Sequence, residues 1–285
     1  MAHPHGWRDP GPSRKVGGRS YSRDMGERCV TCFGPVSDGL RRCYQCGRHW
    51  AAAPEHLADV VVPMAYAVRG TLLARDLWRY KNGPAAAASR DRLRMMALGF
   101  LRDHGACVWR AAGMGPGPDA WAVVPTGRGR LAVHPPSSHP PAGHPPPAHP
   151  SATHPLASLV APYLRRPLVT FTPRADRADR GRDLDPEWLR VRTSVRGRAV
   201  LLLDDTWVTG SSAQSAAVAL KLAGASQVAI VVLGRYLDPG SHRALPPPGE
   251  LPKPTRETCV VHAGHTGNSA ALPTCSSEWV ADRLL

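Results

Sequence analysis

The chain has 285 residues, a hydrophobic fraction of 42% and a formal net charge of +14, enough length and apolar content for one large or two small domains with a core. Pro 30 and Gly 27 together make about a fifth of it, so substantial loop or disordered content is expected, and no apolar run approaches the length of a transmembrane helix. The charge is uneven: 30 Lys/Arg stand against 15 Asp/Glu before residue 204, and 6 against 7 from there on, so a polyanionic partner would be drawn to the N-terminal two-thirds.

In chain order, residues 1–27 are rich in Pro, Gly, Arg and Ser without periodicity and read as a disordered tail. Residues 28–50 follow as a small unit. Cys29-Val-Thr-Cys32 and Cys43-Tyr-Gln-Cys46 form two CxxC pairs ten residues apart. Two residues between thiols let both sulfurs reach one ion from a tight knuckle, and Gly34, Pro35, Gly39 and Gly47 supply turns. Disulfides or a redox pair are the alternatives. No signal-peptide pattern precedes the cysteines, so a reducing, cytoplasmic setting is expected, and a redox motif does not explain two pairs. The spacing predicts a structural four-thiolate zinc site at Cys29, Cys32, Cys43 and Cys46, closed to catalysis because four protein ligands leave no open position.

Residues 64–80 and 85–104 carry helical patterns, separated by Asn82-Gly83-Pro84 as a turn. Trp78 and Tyr80 interleave with Arg79 and Lys81, as a base-stacking platform would, and equally as a core-facing stripe would. Cys107 reads as a buried apolar thiol. Residues 112–118 are a Gly/Pro loop, and Ala120 to Val124 a strand. From 134 to 158 runs a tandem repeat in which His134, His139, His144, His149 and His154 each precede proline. A histidine metal tract is the tempting reading. In a polyproline helix, however, residues five apart point about 240° apart and sit about 15 Å apart, so a repeat expanded inside a flexible loop is favoured. The last copy, His154-Pro-Leu-Ala-Ser-Leu, is the candidate for a structured helix start. Pro167 to Thr172 is a further strand, and residues 173–186 a charged, irregular segment suited to a mobile loop.

Val200 to Leu203 and Gln227 to Leu233 are the clearest strands, apolar as buried strands are. The helical pattern between them, from Ser212 to about Leu222, makes a βαβ unit and predicts an α/β fold with a parallel sheet. Ser211 and Gln214 have capping-box spacing, and Gly224 can stop the helix. Residues 51–240 would form this domain and 241–285 a Pro-rich extension. There, Cys259, His262, His265 and Cys275 are an ordinary loop or, at an unusual spacing, a second metal site.

The segment 200–212, Val-Leu-Leu-Leu-Asp-Asp-Thr-Trp-Val-Thr-Gly-Ser-Ser, carries the chemistry. A loop opening into a helix presents free N–H groups and a positive dipole end, which suit a phosphate. Thr209, Ser211 and Ser212 add hydroxyls, and Gly210 lets the backbone approach closely. Without lysine it is no Walker A loop, and without the three-glycine spacing no dinucleotide fingerprint. Asp204 and Asp205, just before the loop, can accept hydrogen bonds from ribose hydroxyls. An ordinary strand–turn–helix with a surface acid pair is the plain alternative.

This segment resembles the signature of the type I phosphoribosyltransferases: a hydrophobic strand, two acids, and a loop close to Thr-Thr-Gly-x-Thr. Asp204 and Asp205 match the acids, Thr209, Gly210 and Ser212 the loop, and Val208 stands where the family has its first Thr. With a cysteine knuckle ahead of it, the arrangement resembles the competence protein F family. Residues 76–83, Asp-Leu-Trp-Arg-Tyr-Lys-Asn-Gly, are similar to that family's helix ending in a Lys/Tyr step and Gly. Residues 121–128, Trp-Ala-Val-Val-Pro-Thr-Gly-Arg, are similar to its strand and basic loop. The family's Arg-Gly-Phe-Asn run is replaced here by the Pro/His repeat.

The resemblance implies a phosphoribosyltransferase-like sheet flanked by helices. It implies binding of phosphoribosyl pyrophosphate with Mg²⁺ and transfer to an unnamed acceptor. Asp204 and Asp205 would hold the ribose, and Val208, Thr209, Gly210, Ser211 and Ser212 would cradle the 5′-phosphate. Thr126, Gly127, Arg128 and Lys81 would meet the pyrophosphate. The alternative is a single-stranded DNA-binding accessory protein of DNA uptake or recombination, with the pocket regulatory or non-catalytic.

Overall fold

The computed structural model describes residues 28–37, 39–81, 86–125, 154–174, 183–240 and 261. The elements in chain order are α1 (Tyr44–Ala52), β1 (Val60–Val68), α2 (Leu72–Arg79), α3 (Ala86–Ala111) and β2 (Ala120–Val123), then α4 (Pro155–Val160), β3 (Leu168–Val169), β4 (Phe171–Pro173) and β5 (Leu189–Val191), and finally β6 (Ala199–Trp207), α5 (Ser211–Leu222) and β7 (Gln227–Leu237). Five strands form one sheet in the order β1-β7-β6-β2-β3, and every pairing in it is parallel. Strands β4 and β5 make a separate antiparallel pair. The α/β class and parallel sheet expected from the sequence are therefore present. Among the described residues no helix is long and apolar enough to cross a membrane.

Both faces of the sheet are covered, as an all-parallel sheet requires. Alternate residues of the central strands supply the two cores. Leu201, Leu203, Ala229, Val231 and Leu233 pack with residues of α2, α3 and α4. Val200, Leu202, Val228, Ile230 and Val232 pack with α5, Trp188 and the cysteine knuckle. The helix α5 ends where Gly224 takes φ +94°, as its sequence anticipates.

Three expectations need correction. Residues 64–68 belong not to a helix but to the edge strand β1, which pairs with β7 from Val60 to Val68. The β-branched run Val60-Val61-Val62 favours a strand, and an edge tolerates Pro63, which has no N–H to give a ladder. The helix after it begins only at Leu72, with Thr71 as N-cap. The single strand expected over 167–172 is two. β3 joins the main sheet and β4 turns away to pair with β5, the chain changing partners at Thr170. Finally, β6 does not stop at Leu203. It pairs with β7 through Asp204, Thr206 and Trp207, because β7 is long enough to supply partners as far as Arg235.

Helix α2 is fastened to its neighbours by one buried carboxylate. Asp76 accepts from Ser89 Oγ at 2.7 Å and from Arg92 Nε and Nη2 at 2.7 and 2.6 Å, all on α3. The Arg92 guanidinium holds the Asp76 carboxyl below its ordinary range. On its other side α2 lies against β7 at Gly234. A Cβ there would stand 2.5 Å from Leu77 Cδ1 and 3.0 Å from Ala67 Cβ. Gly234→Ala is therefore expected to destabilise the fold by about 1–3 kcal/mol. In urea unfolding followed by circular dichroism, its midpoint should fall while the slope stays that of the wild type.

Candidate functional site

Strand β2 leads to its neighbour β3 on one side, and β6 leads through α5 to β7 on the other. The strand order reverses between β2 and β6, and in open parallel sheets ligands bind at the carboxyl ends of the strands at such a point. The end of β6 carries Asp204 and Asp205. Around it stand the 208–210 loop with the start of α5, the end of α2 with Tyr80 and Lys81, and His154 at the start of α4.

Successive strand residues face opposite sides. Asp205 thus goes with Leu201 and Leu203 toward α2. It is 6% exposed. The fully buried Tyr80 donates its hydroxyl proton to Asp205 Oδ2, and the Lys81 ammonium pairs with the same oxygen. Burial, then the Asp205 charge, pushes the Tyr80 hydroxyl far above its usual range, so it stays a donor. Asp204 is partly buried, and its carboxylate accepts the Asp205 N–H at 3.0 Å. Burial first, and the Asp205 charge second, push the Asp204 carboxyl up to about 8. His154 Nδ1 accepts the Leu156 N–H at 3.1 Å and caps α4, which leaves any ring proton on Nε2. Burial holds its imidazole down at about 4, against the pull of the Asp205 charge. The structured last copy of the repeat is thus a histidine beside the acid pair.

The loop departs from a capping box. Gly210, not Ser211, is the N-cap of α5, with φ 81° and ψ 1°. A side chain there is excluded, since a Cβ would lie 2.0 Å from the buried Trp207 indole. Ser211 is the first helical residue, and Gln214, rather than reaching back, accepts the Ala58 N–H at 3.1 Å. The hydroxyls of Thr209 and Ser211 lie 3.2 Å apart, and Ser211 Oγ lies 3.1 Å from His49 Nε2 on α1. Burial, then the Arg48 charge, brings His49 down to about 4, and its Nδ1 is buried without a partner. Val208 is exposed while its carbonyl, like that of Trp207, accepts from Arg235 Nη1 at 3.0 Å. Ser212 is partly buried one residue into α5.

The sulfur atoms of Cys29, Cys32, Cys43 and Cys46 all lie within 4.8 Å of one another and could hold a metal ion such as zinc. None is in a disulfide. Cys32 and Cys43 Sγ are 3.8 Å apart. A tetrahedral centre with sulfur at about 2.3 Å has edges of about 3.8 Å, so the donor set fits a closed structural site. Hydrogen bonds among the thiols, from Cys32 first, hold Cys29 far below its ordinary range, while those to Cys29 first hold Cys46 far above it. Four thiols so close cannot all ionise without a cation.

The structure brings Lys81 to Asp205 of the acid pair. Thr126, Gly127 and Arg128 lie outside the described residues, as do His134, His139, His144, His149, Cys259, His262, His265, Cys275, residues 1–27 and all of 241–285 but Val261. Of the interleaved aromatics, Trp78 is 69% exposed and Tyr80 is fully buried, so of the two only Tyr80 belongs to the core. Cys107 is buried. Sequence reasoning missed Tyr80, His49 and Arg235 as members of the site. A signal for His49 existed, because it follows Cys46 by three residues and shares its helix face. No family model, curated protein or solved structure matches this chain.

Protonated Asp204 favours folding, since its folded value lies above the unfolded one. That contribution is whole below about pH 4 and is lost as pH rises toward 8. Asp204→Asn is expected to be more stable than the wild type at pH 9, by on the order of 1–3 kcal/mol, with the gap closing near pH 4. Urea unfolding at the two pH values measures it.

Proposed function

We propose that this chain is a phosphoribosyltransferase-like protein of the competence protein F-like kind. In this reading it binds phosphoribosyl pyrophosphate with Mg²⁺ in the cytoplasm and transfers phosphoribosyl to an acceptor. The observation that carries the reading is the acid pair at the carboxyl end of a central parallel strand, followed within five residues by a left-handed glycine that opens a helix. Asp204 would accept from the ribose hydroxyls. Asp205, paired with Lys81 and hydrogen-bonded by Tyr80, would add negative potential where positive charge develops on the ring as pyrophosphate leaves. The amides and hydroxyls of 208–212 would hold the 5′-phosphate. Such a site works by positioning and electrostatics, with no covalent intermediate. Magnesium would arrive with the pyrophosphate and neutralise its oxygens, held by substrate and water more than by protein. The four cysteines would hold zinc as a structural ion.

A second reading, single-stranded DNA binding, is favoured by the exposed Trp78 on α2 between Arg75 and Arg79, both exposed. Stacking on an aromatic ring flanked by cations is how unspecific single-strand binders work.

The test is calorimetric titration of Mg²⁺ and phosphoribosyl pyrophosphate into zinc-loaded wild type and the Asp204→Asn/Asp205→Asn double variant. Micromolar binding, about −8 kcal/mol, is expected for the wild type and none for the folded variant. No binding by the wild type would sink the transferase reading. Single-strand affinity that falls steeply with salt and survives the double substitution would support the second.

A further inference from the structure

The knuckle helix and the 208–212 loop are joined more closely than a structural cage requires. Of the nine residues of α1, two are buried, Cys46 and His49. They are three apart and share one face. Cys46 places its sulfur in the cage, and His49 places Nε2 3.1 Å from Ser211 Oγ. The N-cap of α1 is Cys43, another cage residue, with no side-chain cap bond. A nine-residue helix is marginal by itself, so it depends on its attachments: the cage at one end, His49 at the other, and an exposed ion pair from Arg48 to Asp183 at 2.7 Å. A second tether runs parallel to the first. Arg235 is buried, and its Nη1 donates to the carbonyls of Trp207 and Val208, where the loop begins. The same guanidinium lies against Gly34 in the cysteine loop, where a Cβ would stand 2.7 Å from Nη2.

We propose that metal held by the four cysteines sets the conformation of the 208–212 loop through α1, with His49 as the positioning residue that joins the two. Loss of the ion frees Cys43 and Cys46, α1 loses its anchorage, and Ser211 and Thr209 lose the imidazole that orders their hydroxyls. The inference deepens the reading of 208–212 as a phosphate cradle and rests on it for its functional meaning. It makes metal occupancy and anion binding reciprocal: what tightens one tightens the other.

The experiment is amide hydrogen exchange on the full chain, zinc-loaded and after chelation, for wild type, His49→Ala and His49→Gln, with zinc content measured for each. Exchange in 208–212 is expected to rise about fivefold or more on chelation. It should rise similarly in zinc-loaded His49→Ala, while 228–233 in β7 stays protected. His49→Gln, whose amide nitrogen can stand in for Nε2, should restore much of the protection. Loop exchange in zinc-loaded His49→Ala equal to wild type overturns the proposal. So does loop protection that survives chelation. Exchange reports the coupling without any ligand, so a failed titration with phosphoribosyl pyrophosphate would refute the cradle and leave this result readable.

Discussion

A parallel sheet cannot leave either face in water, because its strands are apolar on both sides. In this chain one face is covered by α2, α3 and α4, and the other has α5 as its main helix. The cysteine knuckle completes the second cover: Cys29, Cys32 and Cys46 are buried in the same core as the α5 alanines. The knuckle is therefore part of the domain, and its loop carbonyl at Phe33 is pinned by the Tyr66 hydroxyl of β1 at 2.8 Å. What could be read as an appended metal module is packed as a piece of the wall.

The same requirement explains the charges. The carboxyl ends of the strands are where polar groups enter an apolar sheet, and each must find a partner there. Asp205 has Tyr80 and Lys81. Arg235 has three carbonyls, those of Trp207, Val208 and Tyr236. Asp204 is compensated least, and burial beside a second carboxylate raises its affinity for a proton. A group held at such a cost in a crevice is where a ligand with hydroxyls or a cation would have most to offer.

The sequence made the chemistry of single segments legible. The spacing of Cys29, Cys32, Cys43 and Cys46 was enough to predict a common cage, since two-residue gaps impose a local geometry. The strand Val200 to Leu203 and the helix after it were legible from apolar runs and Gly224. Boundaries were less so: the strand was read over Val200 to Leu203 with the acids at its end and a polar turn next, yet β6 runs on to Trp207 because β7 offers partners as far as Arg235. Residues 64–68 read as helix because Met64, Ala65 and Ala67 fit either period, and only pairing with β7 decides for strand.

By itself the sequence determined the α/β class, the order of strand, acids, glycine and helix at 200–222, and the grouping of four thiols, because each depends on residues close together in the chain. Tertiary structure alone decided that Tyr80 and Lys81 would meet Asp205 from 125 residues and 124 residues away, and that His49 would reach Ser211 across 162. It also decided that Gly210 would lie on Trp207, so that a glycine and not a serine caps α5. The reason is physical. Covalent spacing dictates what neighbours can do together. Which distant side chains share a crevice depends on how the sheet orders its strands and which helices cover its faces.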